Sequence, residues 1–149
     1  MPKSPTHQQI LAMPLRQQAR ALEEQRHKSR MAMLTRMDAQ LALLEAEQSA
    51  LKAAGLDIHG SEIETDAFGK ILRLPAVAFG SAEARHLNAL LTVGFKIEKQ
   101  DSCGSRAHLL LKKGRLRLGM SVDTEVLIKV DQARARAAAA PAEEVGTAA

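Results

Sequence analysis

F-K-I-E-K-Q-D-S-C-G-S-R-A-H-L-L-L-K-K-G-R-L-R-L-G-M-S-V, residues 95–122, decides how the rest of the chain is read. In its last third Leu116, Leu118, Met120 and Val122 fall on one side, and Arg115, Arg117, Gly119 and Ser121 on the other. A period of two marks a half-buried strand, because successive side chains point to opposite faces. Ala107, Leu109 and Leu111 alternate in the same way with Arg106, His108, Leu110 and Lys112. Lys113-Gly114 lies between the two runs, and glycine supplies the positive φ that a two-residue hairpin turn needs. Such a turn sets Leu111 opposite Leu116, Leu109 opposite Leu118 and Ala107 opposite Met120 on the core face. On the outer face it sets Lys112 opposite Arg115, Leu110 opposite Arg117 and His108 opposite Gly119. Residues 95–99 add a third strand, with Phe95 and Ile97 inward.

The outer face is basic. Lys96, Lys99, Arg106, Lys112, Lys113, Arg115 and Arg117 stand against only Glu98 and Asp101, in a chain whose net charge is +4. Like charges facing one another across a strand pair repel, so this face is expected either to be freely solvated or to meet an anion. These seven residues with His108 form the expected nucleic-acid-binding set, in which cations neutralise phosphates without reading bases. The structural alternative is a Lys-rich sheet face that resists edge-to-edge pairing.

Working outward, Ser81 offers a helix N-cap and Glu83 an acid in the first turn. Ala84, Leu87, Leu90 and Leu91 give that helix one apolar face, and Gly94 ends it. Asp123 or Thr124 caps a last helix through Val126, Leu127 and Val130. Residues 71–79 are apolar but interrupted by Pro75, which predicts an edge strand or extended segment. Residues 15–54 contain neither Pro nor Gly and are rich in helix formers. There Leu34, Met37, Leu41, Leu44 and Leu51 recur at steps of three and four, with Gln48 at one seam position. The stripe fits either a dimerising coiled coil over residues 31–54 or a helix lying on its own sheet. Upstream, E-E-Q-R-H-K-S-R is polar all round, and Leu15, Ala19 and Leu22 are out of register with the stripe. The helix is therefore either kinked there or met by different partners in its two parts.

The expected fold is α+β: a long N-terminal helical arm, then a small domain with a three-stranded antiparallel sheet packed on helices. Residues 1–13 are expected to be disordered, 14–54 to form the arm, 55–69 an acidic linker, 70–140 the domain and 141–149 a flexible tail.

The order helix, Gly94-Phe95 strand, Gly104-Ser105 turn, strand, short turn, strand, helix resembles the HicA-type toxins over about residues 84–135. The resemblance implies a fold like a reduced double-stranded-RNA-binding domain and, in the family, ribonuclease activity tied to a histidine directly after Gly-Ser. Arg106 holds that position here, and His108 is the nearest histidine, on the same outer face.

The totals exclude several classes. With three Phe and no Trp or Tyr, there is no stacking platform for single strands. Cys103 is the only cysteine, so neither an internal disulfide nor a multi-cysteine zinc site can form. Asp57, Glu62, Glu64 and Asp66 match no calcium-loop spacing, and His7, His27, His59, His86 and His108 form no metal pattern. Neither metal nor cofactor is expected. The first residues lack a signal-peptide core, and no apolar run approaches the roughly 18 residues of a membrane span, so a cytoplasmic location is expected. The expectation for function is a non-enzymatic nucleic-acid-binding accessory or regulatory protein that grips with its basic hairpin and self-associates through its arm. The alternatives are a structural adaptor that binds a protein through the arm and a HicA-like endoribonuclease using His108.

Overall fold

A computed structural model describes residues 3–74 and 81–140. Among the described residues four α-helices and five strands follow in the order α1 (His7–Leu11), α2 (Leu15–Ala53), β1 (Glu64–Thr65), β2 (Leu72–Arg73), α3 (Ser81–Val93), β3 (Lys96–Cys103), β4 (Arg106–Lys113), β5 (Leu116–Asp123) and α4 (Thr124–Ala139), with one 3-10 turn at Gly60–Glu62. The α+β class is as expected, but the sheet is larger and mixed. Its strand order is β1-β2-β5-β4-β3, with β2 parallel to β5 and the other pairs antiparallel. Leu72 pairs with Leu118 and Arg73 with Gly119, so these two residues of the stretch expected at an edge lie between β1 and β5.

The hairpin register differs from the expected one by two residues. Leu111 faces Leu118, Leu109 faces Met120 and Ala107 faces Val122, while Lys113 pairs with Leu116. The turn residues are therefore Gly114 and Arg115. Gly114 carries φ 59 and no described non-glycine residue has positive φ, which is what a turn with glycine first requires. A shift of two preserves the faces, so the expected core residues stay inside. Gly104, with φ 62, opens the equivalent turn between β3 and β4.

The sheet's inner face holds Ala107, Leu109, Leu111, Leu116, Leu118, Met120 and Val122, none more than 6% exposed. Leu87 and Leu90 of α3, Leu127 and Val130 of α4, and Met37, Leu44 and Leu51 of α2 share one core with them. The heptad stripe of α2 is thus spent on its own sheet. Its buried members cannot also be the seam of a coiled coil over residues 31–54. Gln40 fixes the helix to the hairpin, donating to the Arg115 carbonyl and accepting from the Arg117 N–H.

α2 runs uninterrupted, and its two parts do meet different partners. The first part carries α1, whose capping box joins Thr6 and Gln9 and whose Ile10 is fully buried. Residues 7–11 are therefore helical where disorder was expected: the reciprocal cap closes the turn and Ile10 anchors it. At the other end the N–H of Leu56 reaches the Leu51 carbonyl past Gly55, φ 104, a glycine C-cap with an apolar residue behind it. Residues 55–69 are likewise no free linker. Leu56 and Ile63 are buried, and β1 and β2 close on a turn built by Asp66. The Asp66 carboxylate accepts from the N–H groups of Lys70 (2.8 Å) and Ile71 (3.1 Å) and from the Thr65 hydroxyl (3.3 Å). Burial pushes that carboxyl up, but these bonds and one from the Phe68 N–H outweigh it and hold the group below its ordinary value. Gly69 in this turn lies against the backbone of Arg36 in α2. The side chain of Ser81 and with it the expected cap, the course of residues 75–79 and the expected tail 141–149 lie outside what the structure describes.

Candidate nucleic-acid interface

Because the helices gather on the apolar face, the opposite face is left to the strands' outward residues. Register places them in rows across the sheet. Lys96, Lys112 and Arg117 form one row over β3, β4 and β5. Lys99, Leu110, Gly119 and Arg73 form the next, reaching β2. Asp101, His108 and Ser121 form the third, and Cys103, Arg106 and Asp123 the last. An irregularity between Ile97 and Lys99 makes the second row: β3 bulges at Glu98, which returns Lys99 to the outer face.

The expected set separates into two groups on this frame. Lys96, Lys99 and Arg115 are exposed and have no carboxylate partner among the described residues. His108 is exposed too. The other four are engaged. Glu98 sits between Lys112 (3.9 Å) and Arg117 (3.7 Å), which stand opposite one another. Its carboxylate offsets the cross-strand repulsion with loose, solvent-screened contacts. Lys113 leaves the face altogether and meets Glu47 of α2 at 2.6 Å.

Arg106 is held differently. Its Nε and Nη2 donate to the hydroxyl and carbonyl of Ser121, and its Nη1 lies 2.8 Å from Oε1 of Glu83. Glu83 is fully buried, and its other oxygen accepts from the Asp123 N–H at 2.9 Å. The guanidinium therefore reaches across β5 and locks the first turn of α3 to the end of that strand. A charge so deeply buried is tolerated when it is paired and hydrogen-bonded. The position that the resemblance reserves for a catalytic histidine is a structural clamp here.

Two contributions to this region were missed from sequence, the place of Arg73 on the surface and the burial of Glu83 beneath Arg106. Arg73 is exposed on the same face, its stem lying over Gly119, where an added Cβ would be 3.6 Å from Arg73 Cγ. The alternation of Leu72, Arg73 and Leu74 carried that signal, but Pro75 obscured it. Glu83 gave no signal, since an acid early in a helix ordinarily serves the helix dipole in solvent.

Asp101, His108 and Ser121 are the residue types of a hydrolytic triad, aligned across three strands. They are not assembled as one. His108 makes no hydrogen bond to either neighbour among the described residues, and the Ser121 hydroxyl is taken by Arg106 at 3.4 Å. Among the described residues no group of His, Cys, Asp and Glu is placed to hold a metal, and no helix is long and apolar enough to cross a membrane. Comparison of the chain with protein-family models, with curated proteins and with solved structures returned no match.

Proposed function

We propose that the chain is a non-enzymatic nucleic-acid-binding protein that grips the phosphate backbone with the outer face of β3, β4 and β5. The supporting observation is the row Lys96, Lys112, Arg117, in register on the face opposite the apolar core. Of these three cations in line, Lys112 and Arg117 share one carboxylate, Glu98, and Lys99 and Arg73 flank the row. Internal pairing does not account for that excess, whereas a polyanion does. Phe95 is buried, and no Phe, Tyr or Trp occupies the described register rows of the outer face, which favours duplexes over stacked single strands. The order α3, β3, β4, β5, α4 is also the helix, three strands, helix order of the double-stranded-RNA-binding resemblance.

A band-shift titration tests the reading with duplex DNA, duplex RNA and single strands of equal length. Retardation of duplexes at low salt, weakening as salt rises, is the expected result. No retardation of any of them would favour a protein-binding adaptor. The endoribonuclease reading rests on the HicA resemblance, with His108 as its candidate catalytic residue. RNA cleavage by the wild type that is lost in His108→Ala would replace binding with catalysis.

A further inference from the structure

We infer that α2 is also the contact between two copies of this chain, paired antiparallel through a seam that shares only the half-buried Leu34 with the stripe packed on the sheet. The seam passes through Arg20, His27, Met31, Leu34, Asp38 and Glu45, which share one helix face by their steps of seven, four and three. Met31 is 50% exposed and Leu34 half-buried. The four charged or titratable members are exposed, and none has a side-chain partner among the described residues.

Their order specifies the pairing. When Met31 of one copy faces Leu34 of the other in antiparallel helices, His27 falls opposite Asp38 and Arg20 opposite Glu45. Each contact is made twice, as a two-fold axis requires. A parallel pair would instead set each of these charges against its own copy. The rest of the helix favours the same orientation. Residues 15–36 carry Arg16, Arg20, Arg26, Lys28, Arg30 and Arg36 against Glu23 and Glu24; residues 37–53 carry Asp38, Glu45 and Glu47 against Lys52.

The surroundings supply two further reasons. Among the described residues the first part of α2 reaches beyond the core and carries the five-residue α1 with the segment before it, and a helix with so little packing is marginal in water. At the other end a groove of about 270 Å³, lined by Leu41, Leu44, Ile58 and Ile63 and bordered by Asp38 and Glu45, opens beside the seam. The partner's Arg20 lies there, its methylene stem on the apolar floor and its guanidinium at Glu45. This pairing does not depend on the nucleic-acid reading.

Sedimentation and cross-linking of the full chain test it. At micromolar concentration and low salt the wild type should sediment as a dimer. Glu45→Arg should weaken the dimer about tenfold, since both symmetry-related contacts become repulsive. Arg20→Glu combined with Glu45→Arg should restore it. In a Cys103→Ser background, a short bis-maleimide should join Arg20→Cys chains to Glu45→Cys chains in a mixture, and not Arg20→Cys chains to one another. A monomer under these conditions would overturn the inference and leave the seam to another partner. Arg20→Cys homodimers, or an Arg20→Glu/Glu45→Arg variant as weak as Glu45→Arg alone, would overturn it as well.

Discussion

Replacing Arg106 by Ala should cost stability far beyond what a strand-surface arginine ordinarily contributes. The variant leaves Glu83, 0% exposed, with the Asp123 N–H and without its counter-charge. Breaking a buried ion pair by removing one partner costs about 3–5 kcal/mol. The low end applies, because the Arg106 side chain is 25% exposed and water can partly replace it. A loss of about 3 kcal/mol is expected, which at roughly 3 °C per kcal/mol for a chain of this size lowers the melting temperature by about 10 °C. Glu83→Gln should be milder, near 1 kcal/mol by order of magnitude (~1), since an amide oxygen still accepts from Asp123 and the arginine left behind can hydrate. Urea denaturation at neutral pH, read by circular dichroism, gives both values. The double variant Arg106→Ala/Glu83→Gln should lose less than the two single losses added together. An Arg106→Ala loss within about 0.5 kcal/mol of zero would put Arg106 in the class of free surface cations and refute the clamp. Because the clamp occupies Arg106, conditions that keep the variant folded should leave the salt dependence of nucleic-acid binding unchanged.

Three further outcomes follow from particular contacts. Glu98→Gln releases Lys112 and Arg117, so duplex binding should tighten, and its log–log salt slope should steepen by about 0.9 for each new phosphate contact; weaker binding in a filter titration would contradict this. Gly69→Ala combines positive φ with a methyl group driven into the Arg36 carbonyl, so chemical denaturation should show a loss above about 1 kcal/mol. Burial, and then the charge of Arg85, hold the His86 imidazole below its ordinary 6.5. Its contribution is therefore complete above that value and lost as pH falls through the depressed one. Melting temperature should drop on acidification below 6.5, and His86→Gln should flatten that part of the profile; an identical profile would rule out His86 as the cause.

Much of the domain was legible in its side-chain alternation. Leu109, Leu111, Leu116 and Leu118 declare the core face, and Gly94 and Gly55 mark helix ends. The register was not, because Lys113-Gly114 and Gly114-Arg115 are equally short turns, and only the positive φ of Gly114 as first residue separates them. The even shift changed partners without changing faces, which is why the basic surface survived while the Lys112–Arg117 opposition and the role of Glu98 were hidden. β1 and β2, two residues each, are too short to show a period, and the pairing of β2 with β5 is a long-range contact that no local pattern encodes. The stripe of α2 was visible as apolar periodicity, but periodicity does not name the surface that covers it. Met37, Leu44 and Leu51 fit a sheet as well as a second helix, and the sheet took them. Lys113 and Arg106 looked equivalent to Lys96 in sequence; Glu47 and Glu83, distant in the chain, set them apart.

The most direct measurement of the central claim is the salt dependence of duplex binding for the wild type and for Lys96→Ala/Lys112→Ala/Arg117→Ala. Removal of the whole row should weaken binding and reduce the magnitude of the log–log slope by up to about 2.7, three contacts at about 0.9 each. Two parallel lines, with the variant binding as the wild type does, would contradict the assignment of this face to nucleic acid.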